Sequence, residues 1–280
     1  MEKNYYKEYY HLERNHWWFK ARGEMLIDHL RKVLELPANK PTTQHQSLIN
    51  SERLKSLAID AKQKSIKILN IGTATGRTSE LLKQLGEVES VEYDKDCYEF
   101  VRDNLNIPIT NASIIELPYA DESYDVVVAF DVIEHVEDDQ KAVSEMYRVC
   151  KKGGVVGVTV PAFMFLWSQH DVVNHHYRRY TSTQLESLFK EQTGLQKIYQ
   201  SYFNSWLFFP IAAFRALSKI LPMKKADNES ETASDFAVMK GGTINSVFYH
   251  IFKSENFFLK RFIRIPVGVS LISTWKKSFF

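Results

Sequence analysis

ILNIGTATGRT, Ile68 to Thr78, is the stretch on which the fold turns. It opens as a short apolar run of strand composition and passes through a small-residue turn. A helical pattern follows, with Leu81, Leu82 and Leu85 on one face and Gly86 at its end. Three ligand-binding patterns compete for such a turn. A phosphate-binding loop needs G-x-x-x-x-G-K-[ST], but here only three residues separate Gly72 from Gly76, and Arg77 stands in the lysine position. A dinucleotide fingerprint needs G-x-G-x-x-G, but positions 72, 74 and 77 are Gly, Ala and Arg. The third pattern is G-x-G-x-G with an acid after the next strand. It is met by Gly72, Ala74 and Gly76 with Asp94, which can accept both hydroxyls of a ribose. Ala74 is tolerable there if its backbone stays in an ordinary region. The turn alone leaves open a close strand–helix packing turn that holds no ligand.

The surrounding chain alternates strands and helices. VESVEY, YDVVVAF, VVGVTV and LQKIYQSYF read as further strands. DCYEFVRDNL and EDDQKAVSEMYRVCKKGG read as helices, the second with Val143, Met146, Tyr147 and Cys150 on one face and Gly153 as its cap. A capping box at Thr181 and Gln184 starts another helix. VGVSLISTW closes the sheet. This alternation predicts an α/β, Rossmann-like, doubly wound sheet with ligands at the carboxyl ends of its strands. We divide the chain into an N-terminal helical cap and linker (1–64), a core (65–204), an inserted helical lid with a polar loop (205–265) and a final strand (266–280).

LPYADESYDVVVAFDVIEHVEDDQKAVSEMYRVCKKGGVVGVTVP, Leu117 to Pro161, adds specificity. It resembles the class I S-adenosylmethionine-dependent methyltransferases, in the branch reading L-P-F-x-x-x-S-F-D-V-V, L-E-H-V and R-V-L-K-P-G-G. The resemblance spans about residues 66 to 200. HWWFKAR (His16–Arg22) and SQHDVVNHHYRRYT (Ser168–Thr181) resemble a bacterial subgroup whose members often act in cell-surface carbohydrate, lipid or secondary-metabolite pathways. The resemblance implies seven strands and S-adenosylmethionine as cofactor. It implies that Gly72, Thr73, Ala74 and Gly76 shape the methionine pocket, that Asp94 holds the ribose, and that Tyr93 flanks the adenine. Asn111, Ala112 or Ser113 would serve the adenine amino group. Phe130, Asp131 and Val132 would form the floor, and Asn70 stands where the family has an acid that positions the cofactor's amino group.

Methyl transfer to an alcohol, phenol or amine also needs a proton removed, so a nearby base helps. The candidates are His135 inside IEHV, and His170, His175 and His176 after the VVGVTV strand. Arg178 and Arg179 are candidates to grip an acceptor carboxylate or phosphate, with Trp167 and Tyr180 beside them. His170, His175 and His176 lack metal-ligand spacing, so no metal is expected.

A net charge of +2 gives no pull toward nucleic acid. Cys97 and Cys150, read as reduced helix residues, fit a cytoplasmic protein. Aromatic residues crowd the segments 205–221 and 243–262, with Lys219, Lys224, Lys225, Lys253, Lys260, Arg261 and Arg264 nearby. They read as a packed lid, or as a surface for a membrane or a homodimer partner. The expected activity is O-methylation of a small-molecule, lipid-linked or sugar-linked acceptor. The alternatives are N-methylation on the same fold, a non-catalytic scaffold, and a nicotinamide-dependent oxidoreductase.

Overall fold

The structure, a computed structural model, describes residues 5–37, 65–192, 194–220 and 242–279. Most of the linker read at 36–64, and most of the polar loop with Lys224 and Lys225, lie outside the described residues. The elements run α1 (Tyr5–Asn15), α2 (Trp17–Val33), β1 (Lys67–Ile71), α3 (Arg77–Leu82), β2 (Glu87–Glu92), α4 (Lys95–Asn104), β3 (Ile109–Asn111) and β4 (Tyr124–Phe130). They continue with α5 (Asp139–Val149), β5 (Cys150–Pro161), α6 (Gln169–Val173), α7 (Ser182–Lys190), β6 (Leu195–Phe203), α8 (Phe208–Ile220), α9 (Gly242–Ser254), α10 (Asn256–Leu259) and β7 (Ser270–Lys277).

Seven strands form one sheet in the order β3-β2-β1-β4-β5-β7-β6. The first five are parallel, and β7 runs antiparallel to both its neighbours. The reversal has a simple cause. β6 ends at Phe203, the chain makes its helical excursion through α8 and α9, and it re-enters at Ser270, paired with Phe203. A chain that leaves and returns at the same sheet edge must run back the other way.

Period-2 alternation sorts the strand side chains onto two faces. Val127 and Ala129 join Leu69, Ile71, Val156 and Val158 under α5 (Val143, Met146) and α7 (Leu185, Phe189). Val126, Val128 and Phe130 join Ile68 under α2, which contributes Trp17, Met25, Leu26 and Leu30. The N-terminal helices therefore form one layer of the sandwich and carry part of its core. α9 packs outside α2, with Trp17 against Phe248 at 5.4 Å and against Phe252 at 6.0 Å between ring centroids.

Some local expectations change. α5 ends at Val149, and Cys150 to Gly154 already belong to β5, with Gly153 at φ 76° inside the strand. Cys150 is therefore a strand residue, buried and free like Cys97 in α4. β3 is a further strand, beyond those read from the sequence pattern. Pro210 sits in the first turn of α8, where the missing N–H has no partner to lose. The Thr181–Gln184 capping box is present. Phe209, Leu217, Val247, Ile251 and Phe257 stay exposed on the inserted helices. Of the basic residues there, Lys253 pairs with Glu24 and Lys260 with Asp28. No helix among the described residues is long and apolar enough to cross a membrane.

Candidate active site

The turn after β1 lies at the carboxyl edge of the parallel strands, and its backbone is left-handed at three positions: Gly72 (φ 77°), Ala74 (φ 46°) and Gly76 (φ 88°). Ala74 thus does not keep an ordinary backbone, and an alanine there carries strain of roughly 1–2 kcal/mol that glycine would avoid. Its N–H donates to Glu92 Oε2 at 2.8 Å. A Cβ on Gly72 would meet Val132 Cγ2 at 2.3 Å, so this glycine makes room for the loop after β4. A Cβ on Gly76 would meet Leu105 Cδ1 at 2.4 Å, so that glycine serves packing beneath the end of α4.

The acid at the end of β2 is Glu92, which sequence reasoning passed over. It is buried and accepts from the Ala74 and Asp94 amides at 2.8 and 2.9 Å. Burial pushes its carboxyl up, and the hydrogen bonds from Asp94, Ala74 and Thr73 oppose that rise. Asp94, expected to hold the ribose, is the N-cap of α4, its Oδ1 accepting from the Cys97 amide at 2.9 Å and from the Tyr6 hydroxyl at 3.3 Å. Asn111 is also engaged: its amide donates to the Glu92 and Tyr93 carbonyls at 2.7 and 3.0 Å. Ala112 packs on the core, Ser113 bridges to Glu116, and the Tyr93 side chain is 78% exposed. Thr73 donates to the Val91 carbonyl. Asn70 donates to Ser79 at 2.8 Å, and its Oδ1 is buried without a partner.

The N-terminal helices close over this turn. Tyr6 reaches Asp94, Arg14 pairs with Glu80 at 2.9 Å, and the Thr75 hydroxyl donates to Glu13. Arg22 of α2 reaches Asp131 at 2.5 Å and Thr159 at 2.6 Å, joining α2 to the ends of β4 and β5. Asp131 is left-handed (φ 55°), Phe130 packs into the α2 face, and Val132 packs on the opposite face.

Burial pushes the Glu13 carboxyl up to about 7, and Thr75, Arg14 and Arg22 only partly offset it. The sign follows directly. Between 4.5 and about 7 the folded state holds more protons than the unfolded state, so stability falls as pH rises through that window. The shift corresponds to at most roughly 3 kcal/mol. We expect Glu13→Gln to gain stability over the wild type as pH rises from about 5 to 8. Chemical denaturation of both proteins across this range checks it, and a pH-independent difference would contradict it.

Further along this carboxyl edge, the loop after β5 folds against the turn Ile133–His135. The Tyr177 amide donates to the Glu134 carbonyl at 2.8 Å. Asp171 is fully buried and organises the loop. It pairs with Arg179 at 2.7 and 3.0 Å, with His176 Nδ1 at 2.9 Å and with the Ser168 amide at 2.8 Å. Burial alone would raise its carboxyl, but the bonds from His176 and Arg179 prevail and hold it well below the usual range. The His135 and His176 rings meet edge to face at 4.5 Å. Packing against this loop, then the nearby His176, lowers His135 below its ordinary value, although its residue surface stays open.

Of the other candidates, His170 bonds Asn174 and its ring lies 6.1 Å from that of His176. His175 is exposed at φ 55°. Trp167 is half-buried at the end of a single helical turn. Arg178 donates to the Glu137 carbonyl and pairs with Asp139, and Arg179 is held by Asp171. Neither guanidinium therefore stands ready for an acceptor. Tyr180 is buried, with its hydroxyl on Asp139.

Residues 69–158 match the methyltransferase domain family. A probable S-adenosylmethionine-dependent methyltransferase of Mycolicibacterium smegmatis is 36% identical over 96 residues, which is 34% of this chain and 37% of that protein. The ubiquinone/menaquinone biosynthesis C-methyltransferase of Haemophilus ducreyi is 32% identical over 103 residues, 33% of this chain and 40% of that one. The matched stretch thus spans well under half of these relatives. The solved YcgJ protein of Bacillus subtilis aligns over 81% of this chain and 99% of its own, at 18% identity and a TM-score of 0.47. Residues 69–158 thus carry a methyltransferase domain, similar over that stretch to S-adenosylmethionine-dependent methyltransferases.

Proposed function

We propose that the chain transfers a methyl group from S-adenosylmethionine to an oxygen of a small-molecule, lipid-linked or sugar-linked acceptor. The observation that carries this reading is that two polar groups sit at the carboxyl ends of the adjacent strands β1 and β4, joined where Gly72 abuts Val132. The turn Gly72–Gly76 with Glu92 and Asn70 forms one, and Glu134, His135 and His176 form the other. The residues fit the cofactor. The orphaned Asn70 Oδ1 is an acceptor awaiting a donor such as an ammonium group. The buried Glu92 carboxylate supplies the ribose acceptor in place of Asp94. When bound, the cofactor supplies an electrophilic methyl group and leaves as a neutral thioether. The protein's part is to bind, orient and manage the acceptor's proton. Held geometry can supply ~7–11 kcal/mol. Proton removal falls to the histidine group, where Asp171 fixes the orientation of His176.

The exposed apolar side chains of α8 and α9 support a lipid-linked acceptor presented at a membrane surface, with a second copy of the chain as the rival occupant. A carbon acceptor, as in the name of the Haemophilus relative, is the rival chemistry.

The expected result is a contrast between two neighbouring acids. Glu92→Ala weakens S-adenosylmethionine binding by roughly 10–100-fold, from the loss of about 1.5–3 kcal/mol of charge-assisted hydrogen bonding. Asp94→Ala loses a helix cap, about 0.5–2 kcal/mol of stability, and leaves cofactor affinity within a few-fold. Calorimetry on both variants reads this, and the reverse pattern would return the ribose to Asp94. Release of S-adenosylhomocysteine with a panel of hydroxylated acceptors, followed by NMR of the product, tests transfer to oxygen. A product methylated at nitrogen or carbon would overturn the oxygen assignment.

A further inference from the structure

We infer that Glu134, His135 and His176 form a binding site for one divalent transition-metal ion at the carboxyl edge of the sheet. The donor atoms of these three residues lie within 4.8 Å of one another. They come from two separate segments, the turn after β4 and the loop after β5, which the Tyr177–Glu134 backbone bond holds together.

Glu134 supplies the main physical reason. It is fully buried, and both of its carboxylate oxygens lack a hydrogen-bond partner. A buried carboxylate in that state costs several kcal/mol unless a cation or a proton compensates it. The two neighbouring guanidiniums do not bond it. Arg22 is engaged by Asp131 and Thr159, and Arg179 by Asp171 and the Ala162 carbonyl.

His176 is arranged as a metal-ligating histidine usually is. A ligating imidazole bonds a carboxylate or carbonyl through its second nitrogen, which fixes its tautomer and aims the first. His176 has Nδ1 on Asp171, leaving Nε2 free, and Asp171 is itself locked by Arg179 and Ser168. His135 meets the His176 ring edge to face at 4.5 Å between centroids. With metal–ligand distances of about 2.1 Å, the three donors would close by roughly 1 Å on binding.

Two imidazoles and one carboxylate favour zinc, iron, cobalt or manganese over magnesium or calcium, and leave coordination positions open. An acceptor oxygen bound at an open position would have its pKa lowered, so that its proton passes to solvent water while His135 and His176, as ligands, no longer serve as bases. That role rests on the methyl-transfer reading, whereas metal binding itself does not. The set differs from His170, His175 and His176, which sequence spacing had weighed as ligands.

The test is titration of the chelator-treated full chain with Co2+, read by its visible ligand-field absorption, and with Zn2+ as competitor. The expected result is one ion per chain, displaced by zinc. Glu134→Gln and His176→Ala should each abolish the absorption, and Asp171→Asn should weaken binding about 10–100-fold. Circular dichroism and S-adenosylmethionine calorimetry on the same samples separate loss of metal from loss of fold or of cofactor. If Glu134→Gln does not fold, His135→Ala, whose residue surface is open, carries the same comparison. A folded wild type that takes up no Co2+ would overturn the site, and so would Glu134→Gln and His176→Ala binding it as the wild type does. Metal binding without methyl transfer would keep the site and remove only its catalytic role.

Discussion

Asp171→Ala is expected to cost about 3–5 kcal/mol of stability and to lower turnover more than ~100-fold, with cofactor affinity changed only a few-fold. The side chain is fully buried, and both carboxylate oxygens are engaged. Removing it leaves Arg179, itself 8% exposed, as an unpaired charge, which is the costly half of a broken buried pair. The change also frees His176 to rotate and uncaps α6 at Ser168. The glycine turn follows β1 and keeps its own supports, so cofactor binding should survive. Denaturant unfolding and steady-state kinetics check both halves. The double variant Asp171→Ala, Arg179→Ala should recover part of the loss, since the orphaned charge goes with it. A single variant as stable as the wild type would show that the ion pair does not hold this loop.

Gly72→Ala should have the second largest effect. The added methyl group must occupy a left-handed position, at about 1–2 kcal/mol, and it lands on Val132 Cγ2, an overpacking cost of about 1–3 kcal/mol. The neighbour cannot yield freely, because Val132 leads directly into the turn bearing Glu134 and His135. We expect a stability loss of roughly 2–5 kcal/mol and cofactor affinity reduced by more than ~100-fold. Gly76→Ala pushes on the flexible end of Leu105 and should affect stability more than cofactor affinity. Ala74→Gly relieves the strain at φ 46° and should be neutral or stabilising by up to ~1 kcal/mol. Thermal unfolding and calorimetry across the three variants read this series. Equal effects at Gly72 and Gly76 would contradict the separate roles given to the two glycines.

The parallel core was legible because its strands are buried on both faces and its helices carry clear caps. YDVVVAF and LQKIYQSYF coincide with β4 and β6 to the residue. The antiparallel β7 was not legible, since its direction depends on where a long excursion returns. Asp94 read as the strand-end acid for an identifiable reason, whereas β2 ends at Glu92. Asp94 looks like the end of a strand, but the helix of DCYEFVRDNL needs an N-cap, and aspartate is a preferred one. Counting the cap first would have left Glu92 as the strand-end acid. Arg178 and Arg179 looked available because a sequence does not show their partners, and Asp139 and Asp171 claim them through tertiary contacts. The adjacency of His170 and Asp171 likewise misdirects, because Asp171 bonds His176, five residues further on in the loop after α6. Glu134 was invisible as a chemical group, since nothing in IEHV says that its carboxylate is buried without partners.

The central claim is that the turn Gly72–Gly76, closed by Glu92 and the N-terminal helices, holds S-adenosylmethionine. Isothermal titration of the full chain with S-adenosylmethionine, S-adenosylhomocysteine and NADH tests it most directly. The account predicts saturable binding of the first two at one site, lost in Gly72→Ala, and no binding of NADH. Binding of NADH alone, or of none of the three by a folded chain, would contradict it.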